Sequence, residues 1–280
     1  MGNRFQIGDL DVLVVSDGDA RAPGTLYFQG TTAEQWEPHK RWLDHTGNVV
    51  FPFTCFLVRS GDTNVLIDTG LGPINMMGFR GGSLFSELAA EGVKPEDIDV
   101  VFITHLHVDH AGNVAHVDAS SSRPAFPNAT YRWTSGEHAY WNGPAMEPSS
   151  RWAEDTKAYL KGLFSAVEAR YQSAEDGAAI APGMNVIATP VHTPGHASVV
   201  LSSGGRRAFI LGDAISCPVQ LEETEWSGLG DIDKALARRS QEAVVRELEG
   251  TEDLMTAAHF PGLTFGRVLS GEGKRYWAPL

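Results

Sequence analysis

The chain has 280 residues, a formal net charge of −13 at pH 7 and 42% hydrophobic residues, enough for a sizeable buried core. The acidic balance argues against a nucleic-acid groove, since phosphate binding needs a basic surface, and no apolar run approaches the roughly 20 residues of a membrane span. The start of the chain lacks the apolar stretch of a signal peptide and has Gln6 where a myristoylation pattern needs Ser or Thr, and Cys55 and Cys217 are too few for a disulfide framework, so we expect a cytoplasmic protein.

Apolar and alternating runs predict strands near residues 11–16, 53–59, 64–68 and 99–104. Leu84 and Leu88, with Glu87 and Glu91, predict an amphipathic helix over 83–91, and a second helix is expected over 151–170. The later part of the chain predicts strands near 184–189, 197–202 and 207–212. A long helix is expected over 232–248, with Ile232, Leu236, Val244, Val245 and Leu248 on one broad face. Strands alternating with helices predict an α/β architecture. No Pro/Gly/Ser-rich linker divides the chain, so residues 1–280 read as one domain.

Residues 104–113, Thr-His-Leu-His-Val-Asp-His-Ala-Gly-Asn, carry the chemistry. His105, His107, Asp109 and His110 form a nitrogen-and-oxygen donor set that suits zinc. The preceding Val100-Val101-Phe102-Ile103 reads as a buried strand, so the donors sit at a strand's carboxyl end, where sites form in α/β sheets. His105 and His107 can share one side of an extended segment, while Asp109 and His110 come a turn later. That spacing predicts two adjacent metals, each needing ligands from elsewhere. Three more candidates stand at or near the ends of apolar runs: His196 in His192-Thr193-Pro194-Gly195-His196, Asp213 after Phe209-Ile210-Leu211-Gly212, and His259 after Leu254–Ala258.

In these motifs the sequence resembles the metallo-β-lactamase-fold hydrolases, whose pattern is His-x-His-x-Asp-His followed by a His, a Gly-Asp and a final His. Leu66-Ile67-Asp68-Thr69-Gly70 is similar to the family's early strand and turn, and the resemblance runs from about Leu13 to His259. Pro218-Val219-Gln220 and His259-Phe260-Pro261-Gly262 are most similar to the branch that contains methyl parathion hydrolase and the quorum-quenching lactonases. The resemblance implies a four-layer αββα sandwich, two mixed sheets face to face with helices outside and the metals at one edge. It implies that His105, His107 and His196 hold a first zinc, that Asp109, His110 and His259 hold a second, and that Asp213 bridges them. Asp109 and Asp213 are the implied catalytic carboxylates, Asp109 orienting the hydroxide or moving its proton.

The implied function is that of a dinuclear zinc hydrolase in which a metal-bridging hydroxide opens a lactone or cleaves an ester or amide. Metal coordination lowers the pKa of water from 15.7 towards ~7, and the chain has no Gly-x-Ser-x-Gly nucleophile elbow. Phosphotriester and β-lactam hydrolysis are alternatives, and an iron-dependent oxidoreductase is the alternative of another class. Tyr27, Phe28, Trp36, Trp42, Met76, Met77 and Phe79 lie on segments that the family places over the site, either as an apolar pocket or as packing. Only Lys40, Arg41 and Arg80 are basic there, which favours a small, partly apolar substrate over a polyanion. Ser216 is a departure, because the best-known acyl-homoserine lactonases carry a substrate-contacting Tyr three residues after the bridging Asp.

Four further readings complete the set. Asp68 is expected to be a hydrogen-bonding carboxylate and not a ligand. His192 either orients a ligand or packs. Cys217 is expected to be a small buried hydrophobe. His39, His45, His116 and His138 are assigned no role. The expected partner is a small-molecule substrate, with no nucleic acid and no membrane; homodimer assembly is left open.

Overall fold

The computed structural model describes residues 2–76, 78–117 and 121–280, with only the backbone of Met76. Met77 lies outside the described residues, as does the Met76 side chain.

The earlier part of the chain supplies strands β1 (Asn3–Ile7), β2 (Leu10–Pro23), β3 (Asn48–Ser60), β4 (Thr63–Ile67), β5 (Asn75–Met76), β6 (Phe79–Arg80), β7 (Val100–Phe102), the separate pair β8 (Ala115–Val117) and β9 (Ser122–Pro124), β10 (Thr130–Trp133) and β11 (Tyr171–Ser173). One sheet has the order β11-β10-β7-β4-β3-β2-β6-β5, with β1 on β2. Its β4, β7, β10 and β11 run parallel, and β1, β2, β3 and β4 pair antiparallel. The later part supplies β12 (Ala179–Ala181), β13 (Met184–Ala188), β14 (Ala197–Ser203), β15 (Arg206–Ile210), β16 (Leu254–Thr256), β17 (Gly266–Gly271) and β18 (Lys274–Pro279), which lie in that order in a second sheet. The β15–β16 pair is parallel. A parallel pair needs a crossover connection, and the helix Lys234–Leu248 provides it.

Period-two patterning sorts these strands into layers. Val12, Val14, Phe56, Val58, Val65, Ile67 and Phe102 point between the sheets and meet Met184, Val186, Val199, Leu201, Ala208 and Ile210. The intervening Leu13, Val15, Leu57, Leu66, Val101 and Ile103 point the other way, onto Leu84 and Leu88 of the helix Leu84–Ala90 and Leu160, Leu163 and Val167 of the helix Glu154–Val167. On the far side of the second sheet, Phe209, Met255, Val268 and Trp277 pack with Ala237, Val244, Val245 and Leu248. The result is the αββα sandwich that the resemblance implied. Full burial of one such aliphatic or aromatic side chain stabilises by about 1.5–3 kcal/mol.

Boundaries differ from the sequence expectation in several places: the strand expected near 11–16 runs on to Pro23, the one expected near 53–59 begins at Asn48, and two helices are shorter than expected. The helix expected over 232–248 begins at Lys234, because the Asp233 side chain accepts from Leu236 N at 2.9 Å and caps it. Ile232 therefore lies ahead of the cap and is 44% exposed, and Ala237 takes a place on the buried face. The helix expected over 151–170 spans Glu154–Val167 and tightens into a 3₁₀ turn, Glu168–Arg170. The carboxyl ends of β4, β7, β13, β15 and β16 lead into Asp68, His105, His192, Asp213 and His259, which gather at one rim.

Candidate metal centre

The rim is organised around Asp68. It follows β4 with φ 58°, an uncommon conformation for a residue other than glycine. Hydrogen bonds hold it there: its carboxylate accepts from Thr104 N at 2.8 Å, Thr104 Oγ1 at 2.9 Å and His110 Nδ1 at 2.8 Å. Asp68 thus serves as the hydrogen-bonding carboxylate expected of it. It fixes the His110 ring so that Nε2 faces Asp213 Oδ1 at 3.3 Å. His259 is aimed in the same way. Its Nδ1 donates to the Pro52 carbonyl at 2.8 Å, and its Nε2 lies 3.1 Å from Asp213 Oδ1 and 3.5 Å from Asp109 Oδ2. Such partners set tautomer and ring direction.

Beyond β7, His105 Nε2 faces His107 Nδ1 at 2.9 Å. His107 stands at the N-cap position of the short helix Val108–Ala111, which turns Asp109 towards His259 but keeps the His110 ring 4.1 Å from that of His105, closer than the spacing implied. His192 comes in from the second half of the chain. Its Nε2 lies 3.4 Å from Asp213 Oδ2, and its Nδ1 is held by Asp231 Oδ1 at 3.1 Å. Donor atoms converge in three groups: His105, His107 and His192; His105, His110 and Asp213; and Asp109, His110 and His259.

His196, expected in the first set, is not among these groups, although its ring lies 5.0 Å from that of His105. Its Nε2 accepts from the Asp213 backbone N–H at 2.9 Å, and its Nδ1 bonds to Thr189. Both ring nitrogens of His196 thus face protein groups, as those of His105, His192 and His259 also do, and His192 is the residue whose donor atom joins His105 and His107. Two residues that help to hold His192 had not been singled out, Gly230 and Asp231. A Cβ at Gly230 would fall 1.8 Å from His192 Cε1, so only glycine permits this approach. The segment Gly228-Leu229-Gly230-Asp231 was the available signal. Glu137 was missed as well. Its buried carboxylate accepts from Leu106 N at 2.8 Å, Trp141 Nε1 at 2.8 Å and Thr193 Oγ1 at 2.6 Å, tying the loop of His105 and His107 to the loop of His192.

Burial holds His105 and His107 well below the ordinary imidazole range and pushes His196 down to about 3. The same burial is outweighed at His110 by Asp213, Asp68 and Asp109 and at His259 by Asp213 and Asp109, and both are shifted upward. Asp213 is shifted down despite burial, by His259 and His110. Among the described residues, His107 Nε2, His110 Nε2 and Asp213 Oδ1 are buried without a hydrogen-bond partner. An unmet buried polar group costs about 1–3 kcal/mol. Divalent cations resolve these conflicts, since they accept neutral imidazole and carboxylate together. The residues fit such ions.

The overlying segments divide in two. Phe28 and Trp36 are buried with Val49, Phe53, Val219 and Trp226, and Cys217 lies in the same cluster, its thiol pushed up to about 12 by burial. Trp42 bonds to Glu222 and packs on Trp277. Those residues are packing. Tyr27 and Phe79 instead flank the site. The Tyr27 ring lies 4.4 Å from Phe51, which is 5.9 Å from the His259 ring. Phe79 stacks on Phe53, which is 6.1 Å from His259. Trp152, not anticipated, lies 4.9 Å from the His107 ring.

A four-layer sandwich with imidazoles and carboxylates converging at one rim defines a metal-dependent hydrolase. Residues 49–259 match the metallo-beta-lactamase superfamily, and the chain belongs to it. An N-acyl homoserine lactonase of Bacillus sp is 26% identical over 218 residues, covering 70% of this chain and 78% of that protein. One of Bacillus cereus is 25% identical over 224 residues, covering 72% and 80%. Among solved structures, AidC, a dizinc quorum-quenching lactonase in complex with the product N-hexanoyl-L-homoserine, superposes with a TM-score of 0.88 at 21% identity, covering 100% of this chain and 97% of that one. The hydrolase AbOPH gives 0.84 at 26% identity with the same coverage. No described helix is long and apolar enough to cross a membrane.

Proposed function

We propose that this protein is a dinuclear zinc lactonase that opens N-acyl homoserine lactones or close analogues. The observation that carries the reading is the convergence of His105, His107, His192, Asp109, His110, His259 and Asp213 at one rim. The named activity of the relatives supports it. In this reading His105, His107 and His192 hold one zinc, Asp109, His110 and His259 hold the other, and Asp213 lies between them. Bound zinc supplies a water acidic enough to attack at neutral pH and a Lewis acid for the carbonyl.

The chain's own groups do the positioning. Asp213, kept ionised by His110 and His259, fixes the spacing of the two donor sets. Asp109 is partly exposed beside His259, where it orients the attacking water and takes up its proton. Phe79, held in place by the buried Phe53, and Trp152 give the acyl chain an apolar wall. We place the enzyme in the cytoplasm, consistent with two buried free cysteines, and take residues 1–280 as one hydrolase domain.

The test is a panel of lactones, esters, phosphotriesters and a β-lactam, offered to zinc-reconstituted protein. We expect about two zinc equivalents, since these donors exceed the four that one tetrahedral ion takes. We also expect N-hexanoyl homoserine lactone to be opened with kcat/KM above about 10⁴ M⁻¹s⁻¹. A plateau at one zinc ends the dinuclear reading, and a phosphotriester or β-lactam turned over faster than every lactone ends the lactonase reading. Asp68→Ala frees the His110 ring and should weaken zinc binding about 10–100-fold in chelator competition, with circular dichroism unchanged.

A further inference from the structure

The Tyr27 hydroxyl has no role in packing. The ring contacts of Tyr27, edge-on to Phe28 at 4.9 Å and against Phe51 at 4.4 Å, would be made equally by phenylalanine. Phe28 is itself locked against Trp36 and Trp226, so the segment that carries Tyr27 is anchored. The ring is half-buried on the His259 side of the rim, since Phe51 lies between it and that histidine, and its hydroxyl lies near the Ser216 side chain and within the field of Asp213, Asp231 and Asp109.

Two features keep the hydroxyl in that place. Ser216 is buried, and its backbone N–H donates to Gln220 Oε1 at 2.8 Å, which fixes the serine. Across the ring lies Gly228, where a Cβ would come within 3.1 Å of the Tyr27 oxygen and 3.0 Å of Cε1. The chain leaves room for a phenol there and gives its oxygen a hydroxyl partner. Burial pushes the ionisation of this phenol well above the ordinary value, which keeps it a donor. A protonated phenol at this place has a proton to offer a ligand.

We propose that the Tyr27 hydroxyl is a catalytic residue that donates a hydrogen bond to the carbonyl oxygen of the substrate, the oxygen on which negative charge gathers during attack. Ser216 and Gly228 are its positioning residues. This rests on the hydrolase reading above, but it does not depend on which acyl bond is cleaved, because lactone, ester and amide hydrolysis all leave a carboxylate carrying that oxygen. A donor aimed at a developing oxyanion is commonly worth about 10²–10³ in kcat.

The experiment compares zinc-loaded parent with Tyr27→Phe in three measurements: zinc content, steady-state kinetics on N-hexanoyl homoserine lactone, and calorimetric affinity for hexanoate. We expect unchanged zinc content, a kcat about 10²-fold lower with KM little altered, and hexanoate bound about tenfold more weakly. Gly228→Ala, which displaces the phenol without removing it, should reproduce both losses, and Ser216→Ala should give a smaller one. Parent-like kcat and parent-like hexanoate affinity in Tyr27→Phe overturn the proposal, as does a parent that binds no hexanoate. A parent that opens no lactone while hexanoate binding still falls in Tyr27→Phe sinks the lactonase reading and leaves this one standing.

Discussion

Asp213→Ala should lower kcat/KM by at least about 10³-fold, while His138→Ala should change it less than about twofold. Asp213 is buried at 3% exposure and is the side chain that spans the cluster. Its Oδ1 lies 3.3 Å from His110 Nε2 and 3.1 Å from His259 Nε2, and its Oδ2 lies 3.4 Å from His192 Nε2. Removing it leaves three buried imidazoles without their shared counter-charge. Changes to groups that only support a ligand cost about 10–100-fold, so loss of the group between both donor sets should exceed that. His138 stacks on Tyr171 at 4.4 Å, away from the rim. Zinc content and kcat/KM measured on both variants decide the matter. Equal activities would remove Asp213 from the site, and Asp213→Asn, which keeps the volume, shows whether charge or shape is responsible.

The layering was legible because strict alternation needs no context. Val12, Leu13, Val14 and Val15 already encode two opposite apolar faces, and a strand apolar on both faces has to lie inside a stack. The rim was legible for a related reason, since each polar donor comes where an apolar strand ends. Short strands such as Thr130–Trp133 escaped, because four residues between loops carry too little periodicity to separate them from turns. The Ile232 error had a local cause: an N-cap at Asp233 overrides the apolar pattern that ran through it.

Within the site, the sequence could name donors but not their direction. His192 and His196 stand four residues apart in one loop, each beside a turn, and nothing local separates them. Contacts distant along the chain do. Asp231, 39 residues on, takes His192 Nδ1, and the Asp213 backbone takes His196 Nε2. Glu137 was hidden for the same reason, since its three partners come from residues 106, 141 and 193. Tyr27 was read only as one of several aromatics over the site, because a hydroxyl's surroundings are set by Ser216 and Gly228 far along the chain.

His192→Ala and His196→Ala should therefore part company in metal content, not only in rate. His192 offers Nε2 to the cluster while Asp231 holds its other nitrogen, the arrangement of a ligand with its orienting carboxylate. Its loss should remove about one zinc equivalent and cost more than about 10²-fold in kcat/KM. His196 has a different task. It accepts the Asp213 N–H and bonds Thr189, so its loss leaves that backbone donor buried and unpaired and opens a cavity beneath the turn. The expected cost is about 1–3 kcal/mol in unfolding free energy, with close to two zinc ions retained at saturating metal. Elemental analysis after zinc reconstitution, paired with denaturant unfolding, reads both effects on the same samples. If His196→Ala loses an ion while His192→Ala keeps two, the hydrogen bonds that occupy His196 are not those of the metal-loaded enzyme, and the first donor set reverts to His105, His107 and His196.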